Sequence, residues 1–349
     1  MDSLDPARHS RLCRLDALPR GFLDCPVNRL DTLFEGPTLI RLRGERRPPL
    51  FVSVLLHGNE VSGLLAVQQL LKDFEHRRRP LPRDLWLFVG NIEAARYGVR
   101  RLPGQPDYNR IWAGGEHPEC RLADELLDEL RRQPLFAALD VHNNSGWNPL
   151  YGCVNRLEAR YLRLARRFSA VMVYFTQPHE VLGVALSRLC PAATLECGLS
   201  GTAEGVSRVV HLITELLAAP ALDATPPEPD FELLHTIATV RVDDADRIGL
   251  GYQLERYDLC FPDDLEALNF RRLDADTAIG WRSPNARGLC VTDNDGRNVT
   301  THYLRYQGEF ILTRRPCVLS MLTRNISVIY QDCLCYIMEP YPLHRDNAP

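Results

Sequence analysis

The sequence predicts an α/β fold: a mostly parallel or mixed sheet flanked by helices, with a smaller β-rich domain at the C-terminal end. Between Pro49 and Gly198 short apolar runs alternate with amphipathic segments, as strands alternate with the helices that cover them. A proline-rich stretch, APALDATPPEPD at residues 219–230, cannot continue a helix and indicates a connector. We therefore expect one domain at residues 1–222 and a β-rich domain at residues 223–349.

The elements of the first domain follow from length and periodicity. The apolar runs are too short for helices, and the amphipathic segments carry apolar residues at three- and four-residue intervals. The predicted strands are residues 50–56, 85–89, 136–141, 170–175 and 192–196, and the predicted helices are residues 61–74, 118–132, 157–168 and 203–217. In the second domain, residues 236–242, 308–313 and 327–336 are predicted strands between turn-forming stretches.

Composition excludes several classes of protein. The 349 residues are 45% hydrophobic and 25% charged, and 41 basic against 45 acidic residues give a formal charge of -4. These values are those of a globular protein and not of a disordered, membrane-spanning or dedicated nucleic-acid-binding one. We therefore expect a site for a small molecule or a peptide, with no nucleic acid and no membrane as partner.

The cysteines predict a reduced, cytoplasmic protein. Their number, 11, is odd, no spacing matches a zinc ribbon, and the N-terminus has no apolar run of a targeting signal. Cys333 and Cys335 are one residue apart in an apolar run, so we expect both to be buried thiols on one face of a strand.

The first group that could carry chemistry is His57-Gly58-Asn59-Glu60, directly after a predicted strand and at the start of a helix. The three-residue step brings an imidazole and a carboxylate to one side of the turn, where both could bind one Zn²⁺ ion. Alone, this pattern is better explained by a helix start with an acidic first-turn residue.

His142 also lies at the end of a predicted strand, within Leu-Asp-Val-His-Asn-Asn. Because α/β sheets build their sites at the carboxyl ends of their strands, His57 and His142 can converge there with Glu60. Asp140, two residues earlier on the same strand face, is placed to orient the His142 imidazole. The alternative for His142 is a loop histidine that hydrogen-bonds to the backbone. The alternative for Asp140 is a salt bridge or a cap at the end of the strand.

Glu196 ends an otherwise apolar strand within Ala-Ala-Thr-Leu-Glu-Cys-Gly. Near a metal-activated water such a carboxylate could act as general base and then as general acid, whereas the alternative is a pair with one of many arginines. Cys197 also follows the strand, which leaves a cysteine hydrolase as a competing hypothesis, although Glu196 would raise the pKa of that thiol.

A basic loop supplies the last elements. Arg100 and Arg101 precede the segment Asp107-Tyr108-Asn109-Arg110-Ile111-Trp112. Arginine forks match carboxylates, and a cation beside a metal can stabilise a developing oxyanion. A solvated basic loop is the alternative in so arginine-rich a chain.

The order of these motifs resembles the succinylglutamate desuccinylase/aspartoacylase branch of the M14 zinc carboxypeptidase superfamily. The resemblance rests on HGNE at residues 57–60, Asn91 and Ala94 leading to an arginine and DYNRIW at 107–112, DVHN at 140–143, and LECG at 195–198. Residues 262–264 and 269–270 are similar to the C-terminal β-domain of that family.

The resemblance implies a zinc-dependent amidohydrolase that cleaves an N-acyl amino acid or a related small carboxylate. It implies one Zn²⁺ per chain, held by His57, Glu60 and His142. It further implies Glu196 as the general base, Arg101 as the oxyanion residue, and Asn109 and Arg110 as the groups that bind a substrate carboxylate. Arg100 competes with Arg101, because counting from Asn91 favours Arg100 and counting back from Asn109 favours neither.

Two other functions are compatible with the same motifs. A zinc carboxypeptidase acting on a peptide C-terminus would use the same carboxylate-binding residues. A metal-stabilised binding protein without turnover is the second, although the general base, the ligands and the anion-binding residues are all present.

Overall fold

The computed structural model describes residues 11–228 and 230–342 and confirms the mixed α/β class. The chain divides into two compact units. Described residues up to Asn143 and the segment Leu150–Glu232 form the first unit, and Asn144–Pro149 with residues 233–342 form the second. The domain boundary predicted between residues 222 and 223 stays a prediction. The predicted domains also include residues 1–10, 229 and 343–349, which lie outside the described residues.

The first unit is built on a mixed sheet, with the strands in the order β1-β2-β4-β3-β5-β8-β6-β7. Its strands are β1 Cys13–Leu15, β2 Thr38–Leu42, β3 Leu50–Val54, β4 Leu85–Val89, β5 Ala137–Asn144, β6 Tyr151–Val154, β7 Val171–Tyr174 and β8 Ala192–Leu199. Strands β3, β4 and β5 are parallel, whereas β2 runs antiparallel to β4 and β6 antiparallel to β8. Every residue of β3, β4 and β5 is buried, as expected for strands covered on both faces.

The helices of the first unit are amphipathic and cover the sheet. They are α1 Ser62–His76, α2 Ile92–Tyr97, α3 Pro118–Arg131, α4 Ala159–Phe168, α5 Leu182–Ser187 and α6 Ala203–Ala218, and two 3-10 helices, Phe22–Asp24 and Val27–Thr32, precede them. Asn91 caps α2, because its side chain accepts a hydrogen bond from the Ala94 N–H at 3.1 Å. The strands β1, β2 and β6 and the short helices α2 and α5 were not predicted from the sequence.

The second unit is β-rich, and it holds a separate five-stranded sheet in the order β10-β11-β13-β16-β15. Strands β18, β17 and β12 extend from β9 on one side, and β14 pairs with β9 as well. The strands are β9 Glu232–Val242, β10 Ile248–Leu250, β11 Leu259–Phe261, β12 Arg272–Leu273, β13 Ala278–Arg282, β14 Leu289–Asp293, β15 Leu304–Gln307, β16 Phe310–Thr313, β17 Cys317–Ser320 and β18 Cys335–Pro340. The helices are α7 Thr300–Tyr303, α8 Ile326–Gln331 and the 3-10 helix Leu265–Leu268.

One predicted strand of the second unit is wrong. Residues 327–336 were expected to be a strand, but α8 occupies Ile326–Gln331, and Asn325 caps it by accepting a hydrogen bond from the Val328 N–H. Strand β18 begins only at Cys335, so Cys333 precedes it. An apolar run of this length is compatible with a buried helix as well as with a strand. Here the Asn325 cap stabilises the start of a helix.

All 11 cysteines are free thiols. Eight of them are buried, Cys13 and Cys25 are half-buried, and Cys290 is exposed. The predicted burial of Cys333 and Cys335 is confirmed. Burial raises the pKa of Cys190 to about 12. Among the described residues, no helix is both long and apolar enough to cross a membrane.

Helix α6 approaches strand β8 closely at Gly205. A Cβ atom at this position would lie 2.4 Å from the carbonyl oxygen of Cys197, a distance at which either the helix or the strand must move. The glycine therefore sets how tightly this helix can pack against the strand that carries Glu196.

We expect Gly205→Ala to destabilise the protein, although alanine in a helix ordinarily adds about 0.5–1 kcal/mol over glycine. Overpacking should outweigh that gain and cost about 1–3 kcal/mol in the free energy of unfolding, measured by denaturant titration. The control is Ser207→Ala, an exposed position on the same helix, with an expected change within about 0.5 kcal/mol. A more stable Gly205→Ala protein would contradict this close contact.

Candidate functional site

His57, Glu60 and His142 converge into one buried cluster. They are 2%, 5% and 3% exposed. The Nδ1 atoms of His57 and His142 lie 2.7 and 2.8 Å from the Oε1 and Oε2 atoms of Glu60. One ligand atom from each residue lies within 4.8 Å of the others, which makes this group a candidate metal centre.

The sheet explains why these residues meet. Strands β3 and β5 are adjacent and parallel, with Ser53 opposite Asp140, so the residues that follow Ser53 and Asp140 emerge at the same edge. Between β3 and the His57–Glu60 turn, Leu55 has a left-handed φ of 57° although it is fully buried. Such a backbone conformation is uncommon for a leucine and is typical of functional turns.

Each imidazole is also fixed at its other nitrogen by a carboxylate. The Nε2 atom of His57 lies 2.8 Å from Oδ1 of Asp107, and the Nε2 atom of His142 lies 3.0 Å from Oδ2 of Asp140. The predicted contact between Asp140 and His142 is therefore present. A carboxylate on the outer nitrogen of a histidine orients the ring and makes the inner nitrogen a better ligand.

These contacts shift the pKa values of the cluster. Burial lowers the pKa of His142, but the carboxylates of Asp140 and Glu60 outweigh it and raise the pKa well above its usual value. Burial and Arg100 lower the pKa of His57, and Glu60 and Asp107 reverse this effect, so that the pKa is raised. Burial raises the pKa of Glu60, yet the two histidines hold it below its usual range.

Asp107 contacts the cluster, although the sequence analysis gave it no role. Its Oδ1 atom accepts the backbone N–H of Asn109 at 2.7 Å in addition to contacting His57. Its Oδ2 atom accepts hydrogen bonds from Nε and Nη2 of Arg100 at 3.2 and 2.9 Å. Although burial raises the pKa of Asp107, His57 and Arg100 hold it well below its usual value, so the side chain is a carboxylate at neutral pH.

The two candidate oxyanion arginines point to different partners. The Nη1 atom of Arg100 lies 3.7 Å from Oε1 of Glu60, and its side chain is only 10% exposed. The Nη1 atom of Arg101 instead donates to the backbone oxygen of Gln105 at 3.2 Å. The cation that contacts the cluster is therefore Arg100, and the role expected for Arg101 stays a prediction.

Asn109 lies beside the cluster, and Arg110 lies beside Asn109. The Nδ2 atom of Asn109 is 3.5 Å from Nε2 of His142, and its Oδ1 atom accepts the N–H of Leu182 at 2.9 Å, which ties the segment to the start of α5. Nη1 of Arg110 donates to the backbone oxygen of Asn109 at 2.8 Å. The polar ends of both side chains are thus positioned by neighbouring backbone groups.

Glu196 lies near the end of strand β8, the neighbour of β5 in the sheet. Burial of the carboxyl group raises the pKa of Glu196 to about 7; the charges of Glu60 and Asp140 act in the same direction, and His142 and His57 oppose them. A carboxyl group with this pKa can exchange a proton near neutral pH.

Cys197 has none of the features of a nucleophile. It is fully buried, and burial together with Glu196 raises the pKa of its thiol well above the usual value. Its Sγ atom donates to the backbone oxygen of Leu195 at 3.6 Å. Because the thiolate is the reactive form, this environment disfavours a cysteine hydrolase.

The donor set of the cluster fits a divalent metal ion. Two imidazole nitrogens and one carboxylate are a common three-residue set that leaves a coordination position open. Glu60, Asp107 and Asp140 raise the pKa of the two histidines, so these carboxylates stabilise positive charge at the position of the imidazole protons. A divalent cation bound to the two imidazoles would take the place of those protons.

Comparisons with known proteins agree with this site. Residues 47–202 match the family model of the succinylglutamate desuccinylase/aspartoacylase catalytic domain. The search of curated proteins returned no match.

Similar solved structures include two described as succinylglutamate desuccinylases. That of Chromobacterium violaceum has 19% identity, a TM-score of 0.56 and coverage of 86% of each chain. That of Vibrio parahaemolyticus has 14% identity and a TM-score of 0.58, with 87% of this chain and 86% of that chain covered. A product-bound ectoine utilization protein of Ruegeria pomeroyi has 15% identity and a TM-score of 0.53, with coverage of 87% and 84%. At these identities the likeness shows a shared fold.

We expect His57→Ala and His142→Ala each to abolish stoichiometric binding of a divalent cation, because each removes one of three candidate ligands. The measurement is the Zn²⁺ content per chain after dialysis against a defined free Zn²⁺ concentration. His211→Ala, at an exposed position on α6, is the matched control and should bind as the parent protein does. One equivalent of Zn²⁺ retained by either cluster variant would remove that histidine from the ligand set.

Proposed function

We propose that this chain, which belongs to the succinylglutamate desuccinylase/aspartoacylase family, hydrolyses the amide bond of an N-acyl amino acid or a related small carboxylate substrate. The family consists of metal-dependent deacylases. The observation that carries the proposal is the buried cluster of His57, Glu60 and His142 beside Glu196, whose carboxyl group has a pKa of about 7.

His57, Glu60 and His142 would hold the metal ion, which we propose is one Zn²⁺ per chain. A Zn²⁺ ion there would act as a Lewis acid and lower the pKa of a water in its open position to about 7. Asp107 and Asp140 would keep the two imidazoles oriented with their Nδ1 atoms toward Glu60.

Glu196 would act as the general base and then as the general acid. Its carboxylate takes a proton from the attacking water and returns it to the amide nitrogen as the C–N bond breaks. A pKa of about 7 suits both transfers, because a group that gains and loses a proton at the working pH does each at low cost.

We assign the oxyanion role to Arg100. Its guanidinium contacts Glu60 and is oriented by two hydrogen bonds to Asp107, so a fixed positive charge lies at the edge of the cluster. A fixed cation that meets the charge developing on the carbonyl oxygen stabilises the transition state more than the ground state.

Asn109 and Arg110 would bind the substrate carboxylate. A planar guanidinium can make two parallel hydrogen bonds to a carboxylate, and an amide can add a third. This feature alone is equally compatible with a free amino acid carboxylate and with a peptide C-terminus.

The test is hydrolysis of matched substrates by the zinc-loaded protein. N-acetylated and N-succinylated amino acids should be cleaved, with release of the free amine as the signal, and a chelator should abolish the reaction. Dipeptides and longer peptides with the same C-terminal residue are the comparison. Cleavage of the peptides alone would identify a carboxypeptidase, and no cleavage of either set by a protein that holds Zn²⁺ would identify a binding protein.

We expect Glu196→Gln to keep the metal and to lower kcat by about 10²- to 10⁴-fold, the usual contribution of a general acid-base residue. The measurement pairs steady-state kinetics with Zn²⁺ content. Glu204→Gln, at an exposed position on α6, is the control for loss of a glutamate charge. Turnover close to that of the parent in Glu196→Gln would exclude Glu196 as the base.

Substitutions of Arg110 and of Arg100 should change different kinetic constants. Charged hydrogen bonds contribute about 1.5–3 kcal/mol, so Arg110→Ala should lower kcat/KM by roughly 10- to 150-fold, mainly through KM. Arg110→Lys should recover only part of this loss, since lysine cannot bind a carboxylate in the bidentate way. Arg100→Ala should act mainly through kcat.

When the parent protein acts on a substrate whose carboxylate is amidated, kcat/KM should fall as it does for Arg110→Ala acting on the free acid. Equal rates on the amide and the free acid would show that Arg110 does not bind the carboxylate, and so would an Arg110→Ala variant in which kcat alone falls.

A further inference from the structure

Asn143, the residue after His142, lies where the three segments of the candidate site meet. It is 4% exposed, and its side-chain amide contacts both the start of helix α1 and the end of strand β8. Helix α1 follows Glu60, and β8 carries Glu196. The mechanism proposed above does not use this residue.

The Asn143 amide makes three hydrogen bonds. Its Oδ1 atom accepts the N–H of Ser62 at 3.2 Å, and its Nδ2 atom donates to Oγ of Ser62 at 2.9 Å and to the backbone oxygen of Gly198 at 3.0 Å. The hydroxyl of Ser62, itself fully buried, accepts the N–H of Gly201 at 2.9 Å. The two side chains therefore join the helix start to the turn that follows β8.

That turn would otherwise be weakly specified. Gly198 and Gly201 both have left-handed φ angles, 65° and 76°, and glycine constrains its own backbone less than any other residue. The hydrogen bonds from Asn143 and to Ser62 engage the backbone at these two glycines. Glu196 is two residues before the first of them.

The backbone of Asn143, and not its side chain, donates a hydrogen bond to a proposed metal ligand. Its N–H donates to Oε2 of Glu60 at 3.1 Å, a contact that every substitution except proline would retain. Removal of the side chain should therefore weaken the connection between β8 and the start of α1, which the hydrogen bond between Gly201 and Ser62 still spans, without removing the bond to Glu60.

We propose that Asn143 is a positioning residue that fixes the distance between the Glu60 and His142 ligand pair and the general base Glu196. This inference rests on the proposed function, because it assumes that Glu196 takes part in the chemical step. The rate of a proton transfer depends steeply on geometry, and a misplacement of about 1 Å can cost 10²-fold in rate.

The experiment is a double-mutant cycle between Asn143→Ala and Glu196→Gln, measured as kcat in the zinc-loaded protein. In the parent background, Asn143→Ala should lower kcat by about 10- to 100-fold with KM nearly unchanged. In the Glu196→Gln background the same change should lower kcat by less than about threefold, because residues that act as a unit are not additive. Equal losses in the two backgrounds would overturn the proposal and assign Asn143 a general structural role.

Two measurements without turnover accompany the cycle. The Tm should fall by the same amount when Asn143→Ala is made in either background. The Kd for Zn²⁺ should stay within about threefold of the parent value, below the 10- to 100-fold loss typical when a group that orients a ligand is removed. A larger loss of Zn²⁺ affinity would show that Asn143 acts on the ligands and not on Glu196.

Ser62→Ala is the second variant and keeps the test decisive if Asn143→Ala does not fold. It retains the bond from Asn143 to Gly198 and removes the hydroxyl, so a smaller loss of kcat with the same dependence on Glu196 is expected.

Ser200→Ala is the matched control, since its exposed hydroxyl joins the same two segments by donating to the backbone oxygen of Asn59 and accepting the Val61 N–H. It should lower kcat less than threefold. A loss in Ser200→Ala as large as in Asn143→Ala would show that any link between the segments suffices and would contradict the proposal. If Glu196→Gln itself leaves kcat unchanged, the proposed role of Glu196 as general base is wrong. An additive cycle, in contrast, would contradict only the inference about Asn143.

Discussion

The candidate site depends on a single buried carboxylate shared by two imidazoles. An isolated carboxylate in the interior of a protein costs several kcal/mol, and Glu60 is stabilised there because His57, His142 and the Asn143 N–H contact its oxygens. The outer carboxylates of Asp107 and Asp140 extend this arrangement into a row in which acids and imidazoles alternate. Each carboxylate in the row favours the charged form of the imidazole beside it, so the members cannot be exchanged independently.

The sheet brings the members of this row together, and the polar side chains between them fix their separations. Parallel β3 and β5 bring the two histidines to one edge, which requires no side-chain contact at all. The finer spacing comes from Asp107, which joins a histidine to Arg100 and to the Asn109 backbone. The fold thus sets positions to within a few ångströms, and buried hydrogen bonds set the rest.

The sequence was sufficient for features that depend on local pattern. Residues 85–89 were predicted as a strand with the observed bounds, because the five apolar residues are bordered by polar or turn-forming ones. His57, Glu60 and His142 could be grouped because each comes after a strand predicted from the sequence, and parallel strands end at one edge.

Features that depend on tertiary contacts could not be predicted from the sequence. The contacts of Asp107 join residues up to 50 positions apart, so nothing in its own segment reveals them. Arg100 and Arg101 are adjacent in sequence, and only the path of the loop turns one toward Glu60 and the other toward Gln105. The run at residues 327–336 had apolar content typical of a strand, whereas the Asn325 cap that starts a helix there depends on the backbone course before it.

The distribution of the thiols has a practical consequence for spectroscopy. Maleimides and similar reagents attack thiolates that solvent can reach, and eight of the cysteines are buried. Burial also raises the pKa of the two half-buried thiols, Cys13 and Cys25. Cys290, exposed on β14, is thus a natural attachment point for one fluorophore or spin label on the second unit, and the chain can be labelled there without first removing its native cysteines.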